Sequence, residues 1–243
     1  MLDPWIETVT LKPATTPITV LAPDPATTVV WRMTRAGESD VLIAGPRTQA
    51  AYHETKDLPV CVRLRIRPGR VTALLGTPAD ELVDRTVPLE DLVGRRAQHL
   101  AEHLVADRHR PAKAVEALRG FLVGQLPPRL PGRLDLVTNA VAGLAPPAEG
   151  MPAPRRVSDT AAGLGVSERY LRRVFREDVG VSPKHFARMA RVRSLIDQAG
   201  RPWAETAAYA GYTDQSHLIA DFRSLMRVTP KAFAAGKVPL STC

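Results

Sequence analysis

Two helix-turn-helix patterns occupy the last third of this 243-residue chain, and the segment between them is patterned as one long helix. The first runs Ser158-Asp159-Thr160-Ala161-Ala162-Gly163-Leu164-Gly165-Val166-Ser167-Glu168-Arg169-Tyr170-Leu171-Arg172-Arg173-Val174-Phe175. The second runs Trp203-Ala204-Glu205-Thr206-Ala207-Ala208-Tyr209-Ala210-Gly211-Tyr212-Thr213-Asp214-Gln215-Ser216-His217-Leu218 and closes at Phe222. Each combines an alanine-rich helix, a glycine at the turn, a polar N-cap and a second helix with its own apolar stripe. This pairing restricts the C-terminal part to an all-helical domain with two projecting helices on one connector. Two such helices can address neighbouring major-groove segments without a partner chain.

In the first pattern Ser158 or Asp159 is positioned to cap the leading helix, and Gly165 suits the left-handed residue that ends it. Ser167 caps the next helix, which turns Leu171, Val174 and Phe175 inward and Glu168, Arg169, Arg172, Arg173 and Arg176 outward. An arginine in a major groove pairs bidentately with guanine, and nearer the rim it holds phosphate. In the second pattern Thr213 or Asp214 is the cap and Leu218, Phe222 and Leu225 face inward. Asp214, Gln215, Ser216 and Arg223 face out, and glutamine is a residue type that reads adenine edges. His217 fits either a base contact or a packed, capping role. The connector, 183–199, begins at a Ser-Pro pair that favours a helix start. Its apolar side is Phe186, Met189, Ala190 and Ile196, leaving Arg188, Arg191 and Arg193 for solvent or phosphate.

Charge agrees with a polyanionic partner. The net charge is +8, and residues 131–243 hold 16 Lys and Arg against 10 Asp and Glu, whereas residues 1–130 hold 17 against 15. No apolar run reaches the roughly 18 residues of a membrane span, and the N-terminus has no secretory pattern, so a cytoplasmic home is expected. The two cysteines, Cys61 and Cys243, form neither a disulfide framework nor a metal cluster, so no metal and no cofactor is expected.

The N-terminal half reads differently. Ile18–Leu21, Val29–Met33, Val41–Ala44 and Val60–Ile66 are β-branched runs bounded by turn residues, within a strand region of 18–75. Strict alternation in 61–67 puts Cys61, Arg63, Arg65 and Arg67 on one strand face and Val62, Leu64 and Ile66 on the other. A small sheet or open barrel follows. Leu89, Leu92, Val93, Ala97, Leu100, Ala101 and Leu104 then have helical spacing, a second helix covers 112–126, and Pro127–Gly132 makes the boundary. The Pro/Ala-rich 145–154 reads as a loop inside the C-terminal domain, after an amphipathic helix at 135–144 that packs on the first motif. The fold class is therefore α+β: residues 1–130 as a sheet with trailing helices, and 133–237 as the DNA-binding domain. Within the latter, the motifs lie at about 158–178 and 203–226.

These residues resemble the AraC/XylS family of bacterial transcription regulators. The second motif carries most of the likeness: Ala207, Gly211 to Leu218, Asp221-Phe222 and Val228-Thr229-Pro230, ending at Ala232-Phe233, with Gly180-Val181-Ser182-Pro183 matching the end of the first. The resemblance spans roughly residues 133–237. It implies base or phosphate contact by Ser167, Glu168, Arg169, Arg172 and Arg173, and by Asp214, Gln215, Ser216 and Arg223. It also implies double-stranded DNA and RNA polymerase as partners, an effector, and a second copy of the chain. Ala220 stands where many members have arginine, and 145–154 lengthens a normally short connection. Ala44-Gly45-Pro46-Arg47-Thr48, Arg67-Pro68-Gly69, Leu74-Leu75-Gly76 and Val87 to Leu92 resemble a reduced cupin-like sensor domain found in a subset of these regulators. That likeness implies effector sensing or oligomerisation.

Competing readings attach to several residues. Cys61 is either a small core residue or a thiol sensor beside arginine; as a lone alkyl acceptor in DNA repair it lacks the cysteine cluster such chemistry uses. Arg63, Arg65 and Arg67 mark an anionic-effector pocket, or else a face paired with acidic residues or solvent. Trp31, Tyr52 and His53 line a pocket or fill the barrel. The helices at 89–126 pack on their own sheet or form a dimer seam. An architectural protein coating DNA without reading it is the alternative function. No catalytic constellation is present in the sequence, and no enzyme is expected.

Overall fold

The computed structural model describes residues 4–11, 17–128, 132–146, 156–197, 212 and 214–240. Seven strands in this part are β1 (Ile6–Thr10), β2 (Ile18–Leu21), β3 (Thr28–Met33), β4 (Ser39–Ala44), β5 (Ala51–Glu54), β6 (Val60–Ile66) and β7 (Thr86–Pro88). Five form an antiparallel sheet in the order β1-β6-β3-β4-β7, and β2 pairs with β5 in a separate two-stranded sheet. The four strands expected from β-branched runs are all present. β1, β5 and β7 carry weaker signals, because β1 buries one residue, β5 has no β-branched residue and β7 is three residues long.

The alternation of β6 decides how the large sheet is used. Val62, Leu64 and Ile66 join Val29, Trp31, Val41 and Ile43 on an apolar face. The helices α1 (Val71–Leu75), α2 (Leu89–Val93), α3 (Arg95–Ala106) and α4 (Pro111–Gly124) cover it with Leu74, Leu89, Leu100, Leu104, Leu118 and Leu122. Two corrections arise here. Residues 71–75, included in the strand region, are helical, and the helical spacing from Leu89 to Leu104 is split by Gly94 at φ +64°. The inner faces of α3 and α4 pack on their own sheet.

The opposite, polar face of the large sheet looks across a cavity toward β2. Arg32 and Asp40, cross-strand neighbours on β3 and β4, pair there at 2.7 Å.

The C-terminal unit contains α5 (Arg133–Leu144), α6 (Val157–Gly163), α7 (Glu168–Val179), α8 (Pro183–Asp197), α9 (Gln215–Met226) and α10 (Pro230–Ala234). Its core gathers Val137, Leu171, Val174, Phe175, Phe186, Met189, Val192, Leu218, Phe222 and Leu225. Ala50 and Tyr52, on and beside β5, belong to this second core rather than to the first. Hydrophobic packing thus divides the chain differently from the Pro-rich segment at 127–132, because the two-stranded sheet lies against the helical unit. The leading helix expected for the second motif, at 203–210, falls outside the described residues, as do Gly211, Thr213 and Cys243.

Candidate nucleic-acid interface

The helical unit repeats one local design. The Ser167 hydroxyl accepts from the Tyr170 amide at 3.2 Å and starts α7; the Asp214 carboxylate accepts from the His217 amide at 2.7 Å and starts α9. α7 ends at Gly180 with φ +86°, and α9 ends at Arg227 with φ +59°, both left-handed. Two residues later Ser182 and Thr229 cap the next helices, each followed by proline at the first helical position. The cap of α6 differs from expectation. The helix begins at Val157, with Arg156 as cap and no side-chain bond, so Ser158 and Asp159 fall in its first turn. Val157 packs against the core, and the cap lies two residues before Ser158.

α7 turns Leu171, Val174, Phe175 and Val179 inward and leaves Arg169, Tyr170, Arg172, Arg173 and Arg176 exposed. Glu168 is half-buried and pairs with Arg172 one turn on, at 2.9 Å through Nε. Arg173 stacks over the Tyr170 ring at 5.2 Å and reaches Glu177 at 3.3 Å. Tyr170, which sequence reasoning did not single out, thereby presents an amphipathic ring beside the arginines. Arg169 and Arg176 have no ion pair among the described residues.

On α9, Gln215, Ser216, Ile219, Ala220 and Arg223 are exposed, while Leu218, Phe222 and Leu225 are buried. His217 is exposed as well. Its ring meets Tyr212 edge-on at 5.3 Å, and Nε2 lies 3.8 Å from Asp221. The two helices thus offer different chemistry: four arginines and a tyrosine on α7, and mainly amide and hydroxyl groups with one arginine on α9.

Arg188, Arg191 and Arg193 are not left to solvent or phosphate as expected from the connector's pattern. Asp221 is buried on α9 and must be compensated. Arg188 donates to it from Nε at 2.8 Å and Arg191 from Nη2 at 3.2 Å. Arg191 also lies over the Tyr212 ring at 5.1 Å, and burial pushes the Tyr212 phenol up to about 12. Arg193 points to the other unit, donating to Asp24 at 2.7 Å. Asp221 therefore ties the connector to the second projecting helix, a role whose only trace in the sequence is a lone acid within that helix.

The effector candidates separate in three dimensions. Trp31 is fully buried under the helices, with Nε1 donating to Ser39 at 2.9 Å, so it fills the core. Tyr52 is fully buried in the second core. Both corrections follow from strand alternation, which turns these rings away from the space between the sheets. Arg65 is held by Asp24, at 2.6 and 2.8 Å, and by Glu7. Arg63 does face the space between the sheets. That cavity, of about 390 Å³, is walled by Thr10, Thr28, Arg32, Arg47, Arg63 and Arg65 among others, and it adjoins a pocket of about 220 Å³ that reaches His53 and Cys61. Burial lowers the Arg47 pKa, and Arg63 nearby adds to the effect. Cys61 is buried, not displayed at the surface.

Residues 160–236 match the family model of a helix-turn-helix domain. Together with the doubled cap-helix-cap design, this decides the assignment. The C-terminal unit contains a helix-turn-helix domain. No curated protein matches the sequence. Among solved structures, an AraC-type regulator from Chromobacterium violaceum is similar to it at 27% identity, over 44% of this chain and 95% of that one, with a TM-score of 0.36. The C-terminal domain of the response regulator AraT from Geobacillus stearothermophilus is 20% identical over 44% of this chain and 90% of that one, with a TM-score of 0.36. A ligand-free ToxT variant from Vibrio cholerae is 13% identical over 93% of this chain and 96% of that one, with a TM-score of 0.46. No helix among the described residues is long and apolar enough to cross a membrane.

Proposed function

We propose that the chain is an AraC/XylS-type transcription regulator and that one monomer reads two adjacent major-groove segments, through α7 and α9. The observation that carries this reading is the repeated capping design, which leaves two helices with polar, exposed N-terminal halves. N-terminal residues of a recognition helix meet base edges, and those farther along meet the backbone. Ser167, Glu168, Arg169, Arg172 and Arg173 are the base-proximal set of α7, with Arg176 at the phosphates. Asp214, Gln215, Ser216, His217 and Arg223 form the set on α9. With Arg188 engaged by Asp221, it acts by holding α9 rather than by gripping phosphate. The density of arginine makes α7 the stronger source of affinity, and α9, with Ala220 in place of an arginine, the source of discrimination.

Selection of duplexes from a random pool, followed by footprinting, tests this. A selected site with two segments about one helical turn apart is expected. Gln215→Ala and Arg172→Ala should each change base preference in one segment, and Arg176→Ala should weaken all duplexes alike and lower the salt slope by about one. Uniform weakening by all three substitutions would establish the architectural reading instead.

The cavity between the sheets is the effector site in this proposal, taking a small organic anion against Arg47 and Arg63. A thermal shift with carboxylates that disappears in Arg63→Gln is the expected result. RNA polymerase contact and pairing with a second copy complete the reading by family resemblance.

A further inference from the structure

The N-terminal unit reaches the C-terminal ends of both projecting helices, by separate routes. The end of α7 belongs to the large sheet's side. Gly180 sits against the Ala79 carbonyl, Pro46 and Val83, and α7 packs against α1. The end of α9 belongs to the small sheet. The Ala50 amide donates to the Leu225 carbonyl at 2.8 Å, and the Tyr52 hydroxyl donates to the Met226 carbonyl at 2.6 Å. These are among the last carbonyls of α9, which have no partner within the helix. Two donors from another unit, one of them 174 residues away in sequence, therefore complete the helix end.

Tyr52 is fully buried, and burial pushes its phenol up to about 12, so it remains a donor throughout the physiological range. Its neighbour on β5, His53, lines the pocket adjoining the inter-sheet cavity, together with Thr19 and Leu21 of β2. The other wall of that pocket is Val30, Arg32, Cys61 and Arg63 of the large sheet. Cavity and helix end thus lie on opposite faces of one short strand. β5 pairs with β2 alone in its sheet, and an isolated bridge, Asp24 to Arg47, lies beside that pairing.

We propose that Tyr52 is a positioning residue for DNA reading: through it and the Ala50 amide, the two-stranded sheet sets the aim of α9 independently of α7. The spacing of the two sheets then sets the relation of the two reading helices, and the inter-sheet cavity lies where that spacing is controlled. This rests on the two-segment reading above for its functional half.

The test uses full-length protein with Tyr52→Phe, which removes one oxygen and keeps the ring in the core. Hydrogen exchange is measured on peptides covering 215–228 and 168–179. Faster exchange at the end of α9, with α7 unchanged, is expected; unchanged α9 overturns the proposal. Affinity is then measured for the selected duplex and for versions altered in one segment at a time. Discrimination should fall about two- to tenfold, the range of one net hydrogen bond, in the segment read by Gln215 and not in that read by Arg172. An equal loss in both segments, or none in either, refutes a positioning role. If the wild-type chain selects no duplex, sequence-specific reading fails, and the exchange measurement still decides whether the strand holds the helix.

Discussion

Gly165 and Gly180 allow the contact between the two units to be weighed against backbone strain alone. Both are left-handed, at φ +69° and +86°, and both end a helical stretch of the first motif. A Cβ added at Gly165 would have nothing within 4 Å, whereas one at Gly180 would lie 2.9 Å from the Ala79 carbonyl oxygen, 2.9 Å from Pro46 Cγ and 3.0 Å from Val83 Cγ2. Gly165→Ala therefore carries only the left-handed strain of an L-residue, about 1 kcal/mol. Gly180→Ala carries that strain plus an overlap with backbone and a proline ring, neither of which yields easily, adding about 1–3 kcal/mol. For a chain of this size 1 kcal/mol corresponds to about 2–4 °C in Tm. Gly165→Ala should lower Tm by about 3 °C, and Gly180→Ala by about 6–12 °C. Urea midpoints of the two full-length variants, measured side by side, give the same comparison isothermally. Equal losses would show that the Ala79 turn does not press on the end of α7, and the argument for docking at that point would fall.

Two other perturbations have signs that the structure fixes. Arg227→Gly replaces a residue held at φ +59° and should stabilise the chain by about 1 kcal/mol, read as a raised urea midpoint; a lower midpoint would mean that the arginine side chain contributes more than its backbone strain costs. His185 is half-buried, and burial, reinforced by Arg188, lowers its pKa below 6.5. A folded-state pKa below the unfolded one means that the unfolded chain binds the proton first, so this contribution is intact above pH 6.5 and is lost as pH falls below it. Wild type should consequently lose more stability between pH 7.5 and 5.5 than His185→Gln, and parallel losses in both proteins would contradict that account.

What the sequence determines here is mostly local. Ser167, Asp214, Ser182-Pro183 and Thr229-Pro230 act on amides within three residues, and Gly180 on its own φ, so the ends of α7, α8, α9 and α10 follow from their own side chains. Alternation in 61–67 likewise sets which face of β6 is apolar, since successive side chains of a strand must point to opposite sides.

Tertiary structure decided the use of the remaining groups. Arg188, Arg191 and Arg193 have the pattern of a solvated or phosphate-binding face, and only the folded chain sets Asp221 and Asp24 against them. Tyr52 has the pattern of a barrel-filling aromatic, and only docking of the two-stranded sheet brings its hydroxyl to Met226. Caps, turns and alternation act within a few residues of the backbone that carries them. A buried carboxylate or a helix's last carbonyls must be matched by whatever packing brings near, and here the partners lie 30 to 175 residues away.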